Sequence, residues 1–419
     1  MIIYKFGGAS VKDAAAIKNI CQIIGKVKRP LTVVISAIGT TTNLLEEIVD
    51  AYFSGNDKAL ELFDLLKENH TSVIDDLFEE VPAKVSSEIN ALFIELKTKI
   101  SKPSSDQFNF EYDQVIGFGE LLSTTIVATY LNHIGQNNKW IDVRTCLDSD
   151  DNYVDANILW DSSKEKANAV FPDNPAALYI TQGFIARDPN GFTTSLGREG
   201  SDYTAAILAH LLGADKMIIW KDVLGILNAD PDYFDVTTKL DLIPYHEAIE
   251  LSYYGARVIH PKTIKPLQAK KIPLWVKSFI DPSQKGTLIT KGDQPQPLLP
   301  NYIVKKRQLL VTLKPLNFSF IGEKDLVFIF TLVTKYRIKL NFTQNTAVSF
   351  AFCANSSARN MQDLVAELEE KYEVELSEDL ELITVRHYTP ATIEEIQNKH
   401  HVLVEQKNSN TAIYLTVAN

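Results

Sequence analysis

Cysteine is scarce in this 419-residue chain: Cys21, Cys146 and Cys353 stand far apart and in no C-x-x-C spacing. That excludes a disulfide framework and a thiolate zinc cluster, and it fits a reducing compartment. Histidine is thin too, eight residues without an H-E-x-x-H among them, so no metal-ligand set is predicted. No run of about 18 apolar residues is present to span a bilayer, and the opening MIIYKFGGAS is too short an apolar stretch for a signal peptide. A cytoplasmic protein with no membrane partner is expected. Positive charge is in deficit, 42 Lys and Arg against 53 Asp and Glu, which argues against a nucleic-acid surface while leaving room for a local pocket that takes one small anion. Finally, neither a Walker A loop nor a G-x-G-x-x-G occurs, so the generic nucleotide signals are missing.

What is there reads as an α/β protein. The length predicts two or three domains, and 45% hydrophobic residues suffice for buried cores. IIYKF (2–6) has the pattern of a short buried strand, GGAS of a turn, and Ser10 with Asp13 of a capping-box variant opening a helix of about 17 residues. LTVVISA (31–37) is a β-branched run suited to a strand covered on both faces, followed by the loop GTTTN. Residues 44–101 show helical spacing without strand signals, and one long helix is expected from 111 through GFGELLS. Strands and helices then alternate to about 290, which predicts a sandwich around a largely parallel sheet. Asp-Pro-Asn-Gly at 188–191 predicts a hairpin between FIAR and FTTS. KGDQPQPLLP (291–300) reads as a linker, and 301–419 as a small α+β unit of strand–helix–strand–strand–helix–strand order, one and a half times over.

Three turns stand where a strand or hairpin gives way to a helix: KFGG (5–8), SAIG (36–39) and GREGSD (197–202). Two of them bring a cation, Lys5 and Arg198. Together at the C-terminal edge of a parallel sheet they would form an anion site of backbone N–H groups and fixed positive charge, which phosphoryl transfer requires. Each also has a plain reading: a tight turn with a surface lysine, or, for Asp202, a first-turn carboxylate favoured by the helix dipole.

KFGGAS, VVISAIGTTTN, GFGELLS, GFIARDPNGFTTSLGREGSDYTAA, WKDVLGILNADP and ELSYYGARVIHPKTI occur in the order and spacing of the aspartate kinases of the amino acid kinase family, which the chain resembles over nearly its full length. The last motif and the helical stretch are similar to the kinase half of the bifunctional aspartate kinase–homoserine dehydrogenases. With no dinucleotide-binding half following, dehydrogenase activity is not expected. The resemblance implies an amino acid kinase domain over 1–290, with 44–101 as a helical excursion, a linker at 291–300, and ACT-type ferredoxin-like regulatory units over 301–419. One of these units would be complete at about 307–379, the other truncated and built from 301–306 with 380–419. It implies transfer of the ATP γ-phosphoryl group to the side-chain carboxylate of L-aspartate, the first step toward lysine, threonine and methionine, with Mg²⁺ accompanying ATP.

By the same resemblance Lys5 neutralises the transferring phosphoryl group and Asp202 holds that lysine. Arg198 takes the α-carboxylate of aspartate and Glu120 its ammonium, with Thr42 and Ser201 beside them. Gly7, Gly8, Ser36, Lys221, Asp222, Gly225, Asp230 and Arg257 fall on the ATP side, and Gly200 allows close backbone approach. Five positions depart from the family pattern, one of them Arg257, which stands where relatives carry lysine. Glu199 replaces a glycine and reads as a solvent-facing turn residue, while Lys221, Leu227 and Asp232 replace a threonine, a tyrosine and an arginine of the nucleotide motif. The implied partners are aspartate, ATP, further copies of the chain in a homodimer or higher homo-oligomer, and an amino-acid effector, lysine or threonine, near 318–326 and 341–346. The alternatives are a kinase for a related amino acid such as glutamate, and a non-catalytic amino-acid sensor derived from such a kinase. A dehydrogenase, lacking the glycine fingerprint, ranks third.

Overall fold

Strand β1 (Ile2–Phe6) leads through a 3₁₀ turn at Gly8–Val11 into α1 (Ala14–Gly25), and β2 (Leu31–Ile35) follows. Here the structure departs from expectation. Asp13 alone caps α1, accepting from the Ala16 N–H at 2.8 Å, while Ser10 is buried inside the 3₁₀ turn. A long helix cannot start at Ser10 because Gly8 is pressed against the next loop, where a Cβ on it would lie 2.6 Å from the Gly39 carbonyl oxygen.

The helical stretch comprises α2 (Thr41–Phe53), α3 (Lys58–Leu77), α4 (Ala83–Ile100), α5 (Phe108–Ile116) and α6 (Phe118–His133). The last two were expected as one helix, and they break at Gly117, whose Cα faces the Ile185 side chain so closely that a Cβ would sit 3.1 Å from it. Next come β3 (Lys139–Ile141), α7 (Trp160–Val170), β4 (Leu178–Gln182) and the hairpin β5 (Ile185–Arg187) with β6 (Thr193–Ser195). Asp188 builds the hairpin turn as an Asx residue, accepting from the N–H groups of Asn190 and Phe192. The remaining elements are α8 (Gly200–Leu211), β7 (Lys216–Lys221), β8 (Leu242–Pro244), α9 (Tyr245–Tyr254), α10 (Pro261–Lys270), β9 (Leu274–Ser278) and β10 (Thr287–Thr290).

These strands form one eight-stranded sheet in the order β3-β4-β2-β1-β7-β9-β10-β8, parallel throughout except between β9 and β10. β2 and β4 are buried at every position, as strands covered on both faces must be. α8 packs on β1, β2 and β7, and α6 on β2, β3 and β4. Because Phe6 pairs with both Ile35 and Trp220, the chain leaves β1, β2 and β7 at the same edge. Gly7, Ser36 and Lys221 therefore emerge side by side.

This computed structural model describes residues 1–172, 174–256, 259–317, 319–358 and 360–418. They fall into two units: Met1–Ile226, Lys239–Ile249 and Ile259–Pro297 in the first, Leu227–Thr238, Glu250–Val258 and Leu298–Asn419 in the second. The second unit is ordered β11 (Asn301–Pro315), α11 (Glu323–Lys335), β12 (Leu340–Asn345), β13 (Phe350–Asn355), α12 (Met361–Glu369), β14 (Tyr372–Arg386), α13 (Pro390–Lys399), β15 (Val402–Lys407) and β16 (Thr411–Val417). All six strands belong to one antiparallel sheet, β12-β13-β11-β14-β16-β15, in which the 15-residue β11 and β14 run through both halves. Their pairing slips around Arg307 and Asp379, both at positive φ of 54° and 53°. Such an extra residue turns side chains to the opposite face. On one side of the slip Leu309, Val311 and Leu313 face Ile329, Leu332, Leu364 and Leu368 of α11 and α12, and on the other Ile383, Val385 and Tyr414 face Ile396 of α13.

Phe352 is fully buried in the first of these clusters. Phe352→Ala is expected to destabilise the second unit by about 3–5 kcal/mol, whereas Val348→Ala on the exposed surface changes it by less than about 0.5 kcal/mol. The shift in urea midpoint between the two variants measures the difference.

Candidate active site

The loops leaving β1, β2 and β7 surround a cavity of about 640 Å³ in the first unit. Three helix starts open onto it, α2 at Thr42, α6 at Glu120 and α8 at Gly200–Asp202, and a helix start carries the positive end of its dipole. Close approach of the loops depends on glycine. The Gly39 N–H donates to the Gly8 carbonyl at 3.1 Å, and a Cβ on Gly119 would lie 2.8 Å from that of Ala37, so α6 reaches the loop after β2 only because neither Gly8 nor Gly119 has a side chain.

At the centre, Lys5 Nζ lies 2.7 Å from Asp202 Oδ1, with both side chains largely covered. Gly7 leaves the ammonium a path, since a Cβ there would stand 3.2 Å from Nζ. Glu120 is buried on the opposite wall. Its Oε1 accepts from the Ala37 N–H at 3.2 Å, while Oε2 has no hydrogen-bond partner among the described residues. Burial pushes its pKa up to about 8, against a downward pull from the Ala37 N–H and from Lys5. At the rim, the exposed Arg198 guanidinium has no partner among the described residues.

Glu199, the residue expected simply to face solvent, has a structural job. It stands at φ 54° as the residue before α8, and its carboxylate accepts from the His260 N–H at 3.0 Å, at the entry to α10. Its charge is therefore held by a helix N-terminus and not by Arg198.

Lys5, Gly7, Gly8, Ser36, Thr42, Glu120, Arg198, Gly200, Ser201, Asp202, Lys221 and Asp222 all line this cavity. Gly225 and Asp230 are not among its lining residues. Gly225 has φ 151° and Thr287 Oγ1 where its Cβ would be, so it serves a backbone turn, and the Asp230 carboxylate accepts from the Asp232 N–H at 3.0 Å. Arg257 lies outside the described residues.

Several lining residues carried no signal in the sequence. Val154 and Phe184 contribute to the wall at φ 76° and 72°, a region costly for bulky side chains. Asp113 on α5 holds the first of them. Fully buried, it accepts from Ser195 Oγ at 2.6 Å, from the Ser195 N–H at 2.8 Å and from the Val154 N–H at 3.0 Å, tying together the two segments that precede and flank the Arg198 loop. Burial raises its pKa to about 6 although the three donors oppose the shift. The only hint in the sequence was a lone carboxylate four residues before the Gly117 break.

No helix among the described residues is long and apolar enough to cross a membrane, and all three cysteines are buried and free. Against known proteins, the model of the amino acid kinase family matches residues 1–278. Lysine-sensitive aspartokinase 3 of Escherichia coli is 30% identical over 397 residues, 92% of this chain and 86% of that protein. The chloroplastic bifunctional aspartokinase/homoserine dehydrogenase 1 of Arabidopsis thaliana is 31% identical over 300 residues, and the match spans 69% of this chain but 32% of that protein. The solved structure of E. coli aspartokinase III with aspartate and ADP superposes with a TM-score of 0.85 at 27% identity, covering 100% of this chain and 96% of that one. The same enzyme with lysine and aspartate gives 0.84.

Asp113→Ala leaves two N–H groups and a hydroxyl without acceptors in a sealed interior. A loss of about 2–4 kcal/mol in unfolding free energy is expected, at about 1–3 kcal/mol per orphaned donor with partial relaxation. A change below about 0.5 kcal/mol in a denaturant titration would mean that Asp113 is no clamp.

Proposed function

The chain belongs to the amino acid kinase family and groups with its aspartokinases, and from that premise we infer that it transfers the ATP γ-phosphoryl group to the β-carboxylate of L-aspartate, giving 4-phospho-L-aspartate and ADP. One observation carries the reading: a cavity that already holds a buried Lys5–Asp202 pair also presents an unengaged guanidinium and an unengaged carboxylate oxygen, Arg198 and Glu120. Those two groups complement the α-carboxylate and α-ammonium of an amino acid. Bound between them, aspartate directs its own side chain into the cup.

A carboxylate is already nucleophilic at neutral pH, so the site needs no general base. One aspartate oxygen forms the bond to the γ-phosphorus while the bond to the β,γ-bridging oxygen breaks, and ADP leaves with that electron pair. The work left to the protein is positioning and charge compensation. Lys5 donates to the equatorial phosphoryl oxygens as their charge develops, and Asp202 keeps the ammonium aimed. The N–H groups at Gly7, Gly8 and the start of α8 take the remaining phosphate oxygens, with Ser36, Thr42 and Ser201 as hydroxyl donors around the acceptor. Lys221 and Asp222 stand at the nucleotide end, Lys221 supplying the positive charge that relatives draw from an arginine.

Among the described residues no three His, Cys, Asp or Glu side chains are grouped to hold a metal ion. This fits Mg²⁺, which enters with the triphosphate and asks one or two carboxylate oxygens of the protein; Asp222 on the cavity wall is placed to give one. When bound, the ion neutralises charge on the β- and γ-phosphate oxygens.

The enzyme works in the cytoplasm as a homodimer, in keeping with its free buried cysteines, and its second unit receives feedback from lysine or threonine. The altered residues Lys221, Leu227 and Asp232 favour one rival reading, a sensor that binds aspartate without turnover. ADP release that requires L-aspartate, with the acyl phosphate trapped by hydroxylamine as the hydroxamate, decides between them; release dependent on glutamate instead would make it another acid's kinase.

In that assay Lys5→Ala is expected to lower kcat by about 10²–10³-fold. Arg198→Ala raises KM for aspartate about 10–100-fold, the worth of a charged hydrogen-bond pair. A third expectation concerns pH. With its pKa raised to about 8, Glu120 favours the fold as the neutral acid, a contribution complete below the ordinary carboxylate range and lost as pH rises through 8. Substrate ammonium requires the ionised form, so KM for aspartate should climb as pH falls below 8, by up to about tenfold per unit, and Glu120→Gln should flatten that limb.

A further inference from the structure

Two carboxylates flank Arg198, and both are held by the entry of α10. On one side Gly197, at φ 75°, lies so close to Asp155 that a Cβ on it would overlap the carboxylate. On the other side is Glu199, whose carboxylate takes the His260 N–H at 3.0 Å. Asp155 pairs with Lys262, in the first turn of α10, and its carboxylate has no other hydrogen-bond or ion-pair partner among the described residues. α10 is itself fixed along α8, from the Glu199–His260 contact to His210, whose Nδ1 lies 2.9 Å from the Pro266 carbonyl. The ammonium of Lys262 is thus carried by a helix anchored beside the arginine's loop.

We propose that Lys262 is a positioning residue for substrate binding: by occupying Asp155 it keeps that carboxylate from closing on Arg198, whose guanidinium then stays open to the α-carboxylate of aspartate. The physical problem is competition. A planar guanidinium takes a carboxylate through two parallel hydrogen bonds, and the carboxylate of a neighbouring side chain serves as well as that of a substrate. Asp155 touches the residue before Arg198, and Val154, next to Asp155 in the chain, lines the same cavity as the arginine. A pair formed within the protein must break before aspartate binds. Apparent affinity falls in proportion to the fraction of molecules in which Arg198 is closed.

The backbone around Asp155 does not need the pair. The Val154 N–H donates to Asp113 at 3.0 Å and the Ala156 N–H to the Ser195 carbonyl at 2.9 Å, so the segment is tied on both sides of Asp155 by bonds that leave Lys262 out. With side chains 61% and 36% exposed, Asp155 and Lys262 form a pair of the kind that adds little to the stability of a fold. What Lys262 decides is which cation Asp155 takes. Glu199, on the other flank, is occupied in the same way by the His260 N–H.

An exposed ion pair shifts populations a few-fold. Lys262→Met, which keeps the stem without its charge, is therefore expected to raise KM for aspartate about three- to sixfold, with kcat and KM for ATP within about twofold of the unaltered chain. Asp155→Asn removes the competitor and leaves KM for aspartate within about twofold, and the double variant returns KM to the starting value. These kinetic comparisons rest on the aspartate kinase reading. Phenylglyoxal labelling of Arg198 in the substrate-free chain, read by peptide mass spectrometry, does not: Lys262→Met should slow it about threefold or more, and the double variant should restore it. A chain that turns over no aspartate sinks the kinase reading and leaves the labelling to decide this one. Labelling unchanged in Lys262→Met, a KM in Asp155→Asn as high as in Lys262→Met, or a double variant that stays impaired would each overturn the proposal.

Discussion

An ammonium with about nine-tenths of its side chain covered is tolerated only beside a fixed negative charge, and at Lys5 that charge is Asp202, 2.7 Å away. The pair joins the end of β1 to the first turn of α8. Its two residues are some two hundred positions apart in sequence, so it exists only if β1 is central in the sheet and α8 crosses it. Almost every other feature of the cup follows from that placement. Gly7 clears the path of the ammonium, and Gly8 lets the loop after β2 come close. Gly183, where a Cβ would lie 2.4 Å from that of Ser201, lets the start of α8 settle against the end of β4. Removing a proton or a charge from the centre would leave the partner desolvated and alone, which is the larger part of the cost in breaking a buried pair.

The rim is built on the opposite principle, strain held in place by hydrogen bonds. Val154, Phe184 and Glu199 all stand at positive φ, each at a cost of about 1–2 kcal/mol relative to a relaxed backbone. Each has a restraint of its own. The Val154 N–H is taken by Asp113, the Phe184 N–H donates to Thr204 Oγ1 at 2.9 Å while its carbonyl accepts from the Leu196 N–H, and the Glu199 carboxylate holds the entry to α10. Against this rigid centre and restrained rim, Arg198 is exposed and without a partner among the described residues.

Legibility followed the range of the interaction. Local signals read correctly: the β-branched run of β2, the Asx turn between β5 and β6, and the glycine turn after β1 each act within a few residues. The convergence of Lys5, Arg198 and Asp202 was readable only through the order of six motifs, because nothing in the spacing of residues 5, 198 and 202 says that their strands and helices meet. Val154 and Phe184 could not be read, and Asp113 barely, since their importance lies in hydrogen bonds to segments from about a dozen to about eighty residues away. The Gly117 break was missed for the same reason, the cause being the Ile185 side chain across the fold. In the second unit, helical and strand patterns were visible, but the division at 306/307 and 379/380, inside what are the strands β11 and β14, came only from the family resemblance, because a one-residue slip at Arg307 resembles ordinary alternation in a sequence.

Glu199, where the family resemblance implies a glycine, shows how a departure from a pattern is absorbed. Glycine in that position needs no compensation, since positive φ is free for it. Glutamate at φ 54° carries backbone strain and adds a negative charge next in sequence to Arg198. Both penalties are offset by one contact, the acceptance of the His260 N–H, because a helix N-terminus favours a carboxylate by about 0.3–1 kcal/mol and a charged hydrogen bond adds about 1.5–3. The same contact turns the carboxylate toward α10 and away from Arg198. A residue that reads in the sequence as a solvent-facing turn position thus ties the loop before α8 to the entry of α10.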